Sequence, residues 1–90
     1  MFYVVSYDVP DDRKRDKVAK ILLDFGKRVQ YSVFECIMDD EALSNMKARF
    51  AAIVSGEDSV RIYALCAKCE KVAIVMGTGT ITKDENIFIL

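Results

Sequence analysis

Eleven residues near the start of the chain, FYVVSYDVPDD at positions 2–12, decide the fold. Positions 2–8 are mostly aromatic or β-branched, a composition typical of a β-strand. Pro10, Asp11 and Asp12 follow, and they supply a turn and the N-cap of a helix. We therefore expect the chain to open with a strand that leads directly into a helix.

The helix itself is predicted from the spacing of its apolar residues. These residues recur three and four positions apart, which places them on one helix face. They are Val18, Ile21, Leu22 and Phe25. Gly26 is expected to end the helix as its C′ residue.

The next segment, 27–38 (KRVQYSVFECIM), is rich in strand-forming residues but holds no Gly or Asn that would mark a hairpin. Two interpretations are open. The segment is one bent strand, or it is a short strand at Val29-Gln30 that reverses near Tyr31-Ser32 into a longer one.

An acidic run at 39–41 predicts the start of a second helix, because carboxylates stabilise the positive end of the helix dipole. Gly56 is expected to stop this helix. Its buried stripe is expected at Leu43, Met46, Phe50 and Ile53. Strands are predicted at 59–66 and 71–76, followed by a turn at 77–79 and a terminal apolar segment at 87–90.

This order of elements predicts an α+β fold, a ferredoxin-like βαββαβ sandwich with an antiparallel sheet and an extra C-terminal strand. Residues 1–90 are expected to form a single domain with 77–90 as a strand tail. Both helices would cover one sheet face, and a bare second face on a chain that is 52% apolar suggests a homodimer. The tail either crosses to the partner's sheet edge or pairs at its own edge.

The composition excludes several classes of chemistry. The chain has no histidine, which removes the commonest general base and the commonest zinc ligand. A net charge of −1 argues against a protein that coats nucleic acid non-specifically, because such proteins are strongly basic, although a local basic patch is still possible. No membrane span or signal peptide is recognised. Three cysteines cannot form a complete disulfide framework, and a reducing cytoplasm is the simplest location.

Asp8 is the first candidate for catalysis. Strand alternation places it on the same face as Val4 and Ser6, at the carboxyl end of the strand and beside the start of the helix. Such strand ends are frequent functional positions. The alternative is that Asp8 only caps the turn into the first helix.

A cluster of cations opens the first helix, where positive charge opposes the helix dipole. It comprises Arg13, Lys14, Arg15, Lys17 and Lys20. Next to a strand-end aspartate, these side chains could grip a phosphate backbone; the alternative is a solvated helix face of mixed charge. In a two-fold dimer, two Asp8 carboxylates could meet at the axis and share one Mg²⁺, which would activate water and polarise a phosphodiester.

Two motifs at fixed spacing resemble a known family. They are the strand end Ser6-Tyr7-Asp8 with the turn and basic helix after it, and RVQYSVFE at 28–35. Together with the strand at 60–65 and the apolar tail, they resemble the CRISPR-associated endoribonuclease family, the smaller of the two universal CRISPR adaptation proteins. The resemblance covers nearly the whole chain.

The resemblance implies a ferredoxin-like homodimer in antiviral defence, with Asp8 as the catalytic Mg²⁺ ligand. It implies cleavage of single-stranded RNA or double-stranded DNA, although some members of the family show no clear nuclease activity. It also implies that the protein bridges two dimers of the adaptation integrase during spacer insertion. By position, it implies that Tyr7, Arg15, Arg28, Ser32 and Phe34 are functional neighbours of Asp8, with Tyr7, Ser32 and Phe34 in supporting roles. Nucleic-acid contacts are expected from Arg15, Lys17 and Arg28, and from Arg13 of the basic cluster. Lys17 stands where many relatives have Arg, which loses the bidentate phosphate geometry.

The remaining motifs are weaker. Cys66-Ala67-Lys68-Cys69 is a lone C-x-x-C, too few thiols for structural zinc, and no helix start evidently follows it to lower a thiol pKa. The Gly77-Thr78-Gly79-Thr80 run lacks the lysine and spacing of a phosphate loop and is read as a turn. Two other functions are open beside the nuclease: a non-catalytic adaptor that positions DNA and integrase, and a ferredoxin-like regulatory dimer that binds a small ligand.

Overall fold

The structure is a computed structural model that describes residues 1–79, 81 and 82. Four strands and three helices lie along it. Their order is the expected one up to the fourth strand, and the short helix after that strand was not predicted. In chain order, the elements are β1 (Phe2–Asp8), α1 (Asp12–Leu23), β2 (Gly26–Gln30), β3 (Val33–Ile37), α2 (Asp40–Ala51), β4 (Ser59–Leu65) and α3 (Ala67–Lys71).

The strands form one sheet in the order β2-β3-β1-β4, and every neighbouring pair is antiparallel. In this register Val5 of β1 lies between Phe34 of β3 and Ile62 of β4. The order and directions are those of the ferredoxin-like sandwich, so the predicted fold class is confirmed. β1 is one of the two central strands of this sheet, and it carries Asp8 at its end.

The core lies on the sheet face that α1 and α2 cover. Tyr3, Val5 and Tyr7 alternate along β1 and are all buried, as strand geometry requires. Phe34 and Cys36 of β3 extend the same layer. From the helices, the buried side chains are Val18, Ala19, Ile21 and Leu22 of α1 and Met46 and Phe50 of α2.

Each long helix begins at an aspartate cap. The carboxylate of Asp11 accepts a hydrogen bond from the Lys14 backbone N–H at 2.8 Å, and the carboxylate of Asp39 accepts one from the Ala42 N–H at 2.8 Å. Such caps satisfy backbone donors that the helix leaves unpaired, and each contributes about 1 kcal/mol. Both helix starts were expected from the sequence.

Segment 27–38 is a hairpin, so the second of its two interpretations is correct. β2 already begins at Gly26, and Tyr31 and Ser32 form the turn into β3. The pairing of β2 with β3 shifts register between Arg28 and Gln30, next to this turn.

Gly26 is not the helix C′ residue that the sequence suggested. The C-cap of α1 is Asp24, and Gly26 is a strand residue without positive φ. The glycine is needed because β2 approaches β3 closely: an added Cβ would clash with the Glu35 carbonyl oxygen and lie 2.9 Å from Cys36 Cα.

Segment 71–76, predicted as a strand, is not one. α3 occupies its first residue, and residues 72–76 have no regular structure. β-Branched residues favour a strand only where a neighbouring strand pairs with them, and none does so here among the described residues. The predicted turn at 77–79 contains two glycines with positive φ, 88° at Gly77 and 132° at Gly79.

The second sheet face was expected to be bare, yet it is partly covered. Phe2 on this face is 1% exposed, and the Thr82 backbone N–H donates to the Glu35 carboxylate at 3.2 Å. The chain therefore returns across this face near Glu35, while the Asp8 end is open. The predicted apolar segment at 87–90 lies outside the described residues, and no helix within the described ranges is long and apolar enough to cross a membrane.

Candidate functional site

Asp8 is the last residue of β1 and pairs with Ser59 of β4. Tyr7, one position earlier, points into the core and is 5% exposed, whereas Asp8 is exposed. Because neighbouring side chains alternate across a strand, the Asp8 carboxylate lies on the sheet face opposite the helices. The placement predicted by strand alternation is confirmed.

The Asp8 carboxylate does not cap α1. Asp11 performs that role, so the alternative interpretation of Asp8 as a capping residue is wrong. Within residues 1–79, 81 and 82, the Asp8 side chain makes no hydrogen bond and no ion pair. An exposed carboxylate without a structural task, fixed at the end of a paired strand, is available to a ligand.

Arg15 holds the loop that follows Asp8. Its guanidinium donates hydrogen bonds to the carbonyl oxygens of Val9 at 3.1 Å and Pro10 at 3.4 Å, and it also pairs with the Asp12 carboxylate. The hydrogen bond to Asp12 is the main reason that the Arg15 pKa is raised above its usual value. Most of the donors of this predicted phosphate contact are thus engaged within the protein.

A second group lies on the helix side of the sheet around Tyr7. The Tyr7 hydroxyl donates to the Tyr31 carbonyl oxygen at 3.3 Å and accepts from Arg28 at 3.5 Å. The Arg28 guanidinium lies 5.3 Å above the ring of Phe34, a cation–π distance. The Ser32 carbonyl oxygen accepts from the Tyr7 N–H at 3.1 Å, which ties the hairpin turn to β1.

A small, half-open cavity of about 80 Å³ lies beside this group, between α1 and the hairpin turn. Its walls are Tyr7, Arg15, Asp16, Ala19, Arg28 and Tyr31. The structure therefore brings Tyr7, Arg15 and Arg28 together. They were expected as neighbours of Asp8, but they do not lie beside its carboxylate, because Tyr7 and Asp8 point to opposite faces of β1.

The rest of the basic cluster divides in two. Arg13 and Lys17 are exposed, and their side chains make no hydrogen bond or ion pair within the described part of the chain, so both charges are free to meet a phosphate. Lys14 has a structural partner instead: its ammonium donates to the Asp58 carboxylate at 2.8 Å and to the Ser55 hydroxyl at 3.4 Å. The interpretation as a solvated helix face therefore fits Arg13 and Lys17, and it does not fit Lys14 or Arg15.

Asp58 is a residue that the sequence did not reveal. Its carboxylate also accepts from the Ser55 backbone N–H at 3.0 Å, and its side chain is only 5% exposed. The hydrogen bond from Lys14 is the largest cause that lowers the Asp58 pKa below its usual value. The spacing of 44 residues between the two partners leaves no local pattern to detect.

Tyr31 is the other residue that sequence reasoning left out of the site. It is a turn aromatic with 77% of its surface exposed, and it offers its carbonyl to Tyr7. The signal available in the sequence was an aromatic residue at a hairpin turn, between Arg28 and Ser32. The hydrogen bond to the Tyr31 carbonyl oxygen depends on the geometry of the turn, which the sequence does not give.

The residues present fit a hard divalent cation only in a limited way. No group of three or more His, Cys, Asp or Glu side chains that could hold a metal ion occurs within the described ranges. At the end of β1, a single described chain thus offers one uncommitted carboxylate, that of Asp8. Mg²⁺ is often held by one or two carboxylates plus waters and substrate phosphates, so this donor set fits Mg²⁺ and not a closed all-protein cage.

Known proteins match the chain over nearly its whole length. Residues 1–72 match the family model described as CRISPR associated protein Cas2. The CRISPR-associated endoribonuclease Cas2 3 of Synechocystis sp. is 42% identical over 89 residues, covering 98% of this chain and 97% of the relative.

Solved structures of Cas2 proteins have the same fold as this chain. The crystal structure of Streptococcus pyogenes Cas2 at pH 6.5 is 32% identical with a TM-score of 0.74, and the match covers 86% of this chain and 100% of that one. A chain of the partial Cas6-RT-Cas1–Cas2 complex is 25% identical with a TM-score of 0.74, and the match covers 83% and 89% of the two chains. The resemblance inferred from the two sequence motifs is confirmed: the chain belongs to the CRISPR associated protein Cas2 family.

Proposed function

We propose that the protein is a homodimeric, Mg²⁺-dependent endonuclease in which the Asp8 carboxylates of two protomers form the catalytic site. The observation that carries the proposal is the uncommitted Asp8 carboxylate at the end of β1, while Asp11 caps the helix. Relatives of 42% and 40% identity bear the name endoribonuclease, which supports hydrolysis of a phosphodiester.

Dimerisation would complete the site. One Asp8 per chain is a minimal donor set, and a two-fold axis brings the same residue of both chains together. Two features offer an interface: β4 is an edge strand of the sheet, and the apolar side chains after α3 are exposed. They include Val72 at 71%, Ile74 at 82% and Met76 at 91% exposure.

The other predicted residues receive separate tasks. Arg13 and Lys17 would contact substrate phosphates, because their charges are exposed and free of partners in the described structure. Arg15 would hold the loop after Asp8, and Arg28 would fix Tyr7 and the hairpin turn. Bound Mg²⁺ would polarise the phosphodiester and lower the pKa of a coordinated water.

The test is cleavage of single-stranded RNA and of duplex DNA by purified wild-type protein and by Asp8→Ala, with Mg²⁺ or with EDTA. We expect the Asp8→Ala variant to lose at least about 100-fold in cleavage rate, because an ion that stabilises the transition state by several kcal/mol loses its anchor. EDTA should produce a similar loss in the wild type.

Asp40→Asn is the matched control, since Asp40 is another exposed aspartate that starts α2 away from the site. It should cleave at the wild-type rate. Gel filtration should give the same oligomeric state for all three proteins. Full cleavage by an Asp8→Ala preparation free of contaminating nuclease would disprove the catalytic role.

A non-catalytic adaptor is the second candidate, and one observation favours it. A chain with a TM-score of 0.74 to this one comes from a Cas1–Cas2 complex, so this fold is found within such an assembly. In this function the protein would bridge dimers of the adaptation integrase during spacer insertion, and only its surface would matter. Spacer acquisition that persists with Asp8→Ala, together with no Mg²⁺-dependent cleavage by wild type, would select the adaptor.

The thiols favour a reducing cytoplasm as the site of action. Cys36, Cys66 and Cys69 are all unpaired thiols. Such thiols persist where glutathione and thioredoxin keep proteins reduced.

A further inference from the structure

We propose that Cys66 and Cys69 form a redox-active dithiol that exchanges reversibly with low-molecular-weight disulfides. This site is separate from Asp8 and does not depend on nuclease activity. It would be a modification site at the exit of the edge strand β4, with a small disulfide of the glutathione class as its substrate.

The geometry of the two thiols supports this assignment. Cys66 directly follows β4 and is the N-cap residue of α3, and Cys69 lies in the first turn of that helix. Their Sγ atoms are 3.4 Å apart, and both residues are exposed. A disulfide requires about 2.05 Å between the sulfurs, so closure needs only about 1.4 Å of relative sulfur movement.

The two thiols also differ in acidity in the way that exchange needs. The Cys66 pKa is lowered below its usual value by hydrogen bonds that the Cys69 N–H and the Cys69 thiol donate to its thiolate. The Cys69 pKa is raised by its hydrogen bond to the same thiolate. Cys66 is therefore the attacking sulfur and Cys69 the resolving one, although the sequence alone gave no helix start beside them.

The reaction balances with one small disulfide. The Cys66 thiolate attacks glutathione disulfide, forms a mixed disulfide and releases one glutathione as its thiolate. Cys69 gives up its proton to solvent, its thiolate attacks the Cys66 sulfur, and the second glutathione leaves. The protein is oxidised by two electrons to the Cys66–Cys69 disulfide, and glutathione disulfide is reduced to two thiols.

Cys36 provides an internal control. It is buried in the core, and burial raises its pKa to about 11 from an ordinary value of 9.0. At neutral pH this difference makes its thiolate about 100-fold scarcer than that of an ordinary cysteine, before its poor access is considered. Cys36 should therefore stay reduced while the exposed pair exchanges.

The experiment equilibrates the full chain in buffers of varied reduced-to-oxidised glutathione ratio, quenches with an alkylating reagent and maps each cysteine by mass spectrometry. We expect a peptide with Cys66 and Cys69 that has lost two hydrogens and accepts no alkylating reagent, reversed fully by excess reduced glutathione. Exchange at Cys36 should be at least about 100-fold slower.

Two variants test the assigned roles. Cys69→Ser should trap one glutathione on Cys66, and it should react faster than Cys66→Ser, because the backbone N–H groups of Lys68 and residue 69 still stabilise the Cys66 thiolate in the first variant. Equal or reversed rates would overturn the assignment of Cys66 as the attacking sulfur. The proposal itself would be overturned by no oxidation at any ratio, by stable mixed disulfides on both wild-type cysteines, or by disulfides that join two chains on a non-reducing gel.

Discussion

Arg15 is a residue whose charge and geometry serve different purposes. Any cation at this position would attract phosphate, but the guanidinium contacts the Val9 and Pro10 carbonyls through one terminal nitrogen and Asp12 through the other. A lysine has a single terminal nitrogen and does not span both positions. The substitution Arg15→Lys keeps the charge and removes most of this network. It therefore separates a phosphate contact from a residue that positions the loop beside Asp8.

We expect Arg15→Lys to reduce the single-turnover cleavage rate about 10-fold or more, because small displacements at a reacting centre are costly. Its affinity for nucleic acid should fall less than about 3-fold, since the charge remains. Lys17→Ala is the comparison: it should weaken binding and leave the rate of bound substrate unchanged. A reversed pattern in filter binding and saturating-protein kinetics would make Arg15 the phosphate contact.

Between elements, the ion pair of Lys14 and Asp58 joins the start of α1 to the loop before β4. Because the folded-state pKa of Asp58 lies below its usual value, the unfolded chain binds a proton there more readily than the folded one. The pair therefore stabilises the fold above the ordinary carboxyl pKa, and this contribution is lost as pH falls through the lowered pKa.

Urea unfolding at several pH values should show this contribution. Asp58→Asn is expected to be less stable than wild type at pH 7, and the difference should shrink as the pH falls below about 4. Lys14→Met and the double variant complete a cycle that isolates the pair. A stability gap between wild type and Asp58→Asn that stays constant down to about pH 2 would contradict the ion-pair origin.

Most helices and strands could be predicted from the sequence, because apolar periodicity and capping residues indicate both long helices and β1. The predictions failed where the local structure depends on residues far away in the sequence. Gly26 resembled a helix terminator, but its role is set by the close approach of Cys36 on β3. The Asp8 face followed from strand alternation, whereas the partners of Lys14 and Arg15 depend on loop paths that no local pattern encodes.

At the scale of the whole molecule, the segment at 72–76 shows why the strand prediction failed, and it supports the proposed dimer. Its residues have the composition of a strand, yet they lie exposed without a pairing strand in the described chain. A second copy of the chain would supply the missing neighbour, and a stable interface needs about 800 Å² from each partner. Among the described residues no strand pairs with the outer edge of β4, and this edge would give the second copy a place to bind.

We expect wild type to sediment as a dimer and Ile74→Lys to dissociate at least about 100-fold more readily, because a lone charge is costly to bury in an apolar interface. Leu23→Lys is the control, since Leu23 is an exposed apolar residue of α1 with 59% of its surface accessible. It should remain dimeric. A monomeric wild type at micromolar concentration in analytical ultracentrifugation would contradict the dimer.

The position of Asp8 on β1 has one further consequence. β1 is bonded to β3 on one side and to β4 on the other, and its pairing with β4 runs through Asp8 itself. A strand held on both edges is among the last parts of a sheet to open in local fluctuations. In the proposed dimer, backbone motion would therefore contribute little to the distance between the two Asp8 carboxylates. The arrangement of the subunits would set that distance, so a partner that rotates one protomer against the other would change the rate of the proposed cleavage.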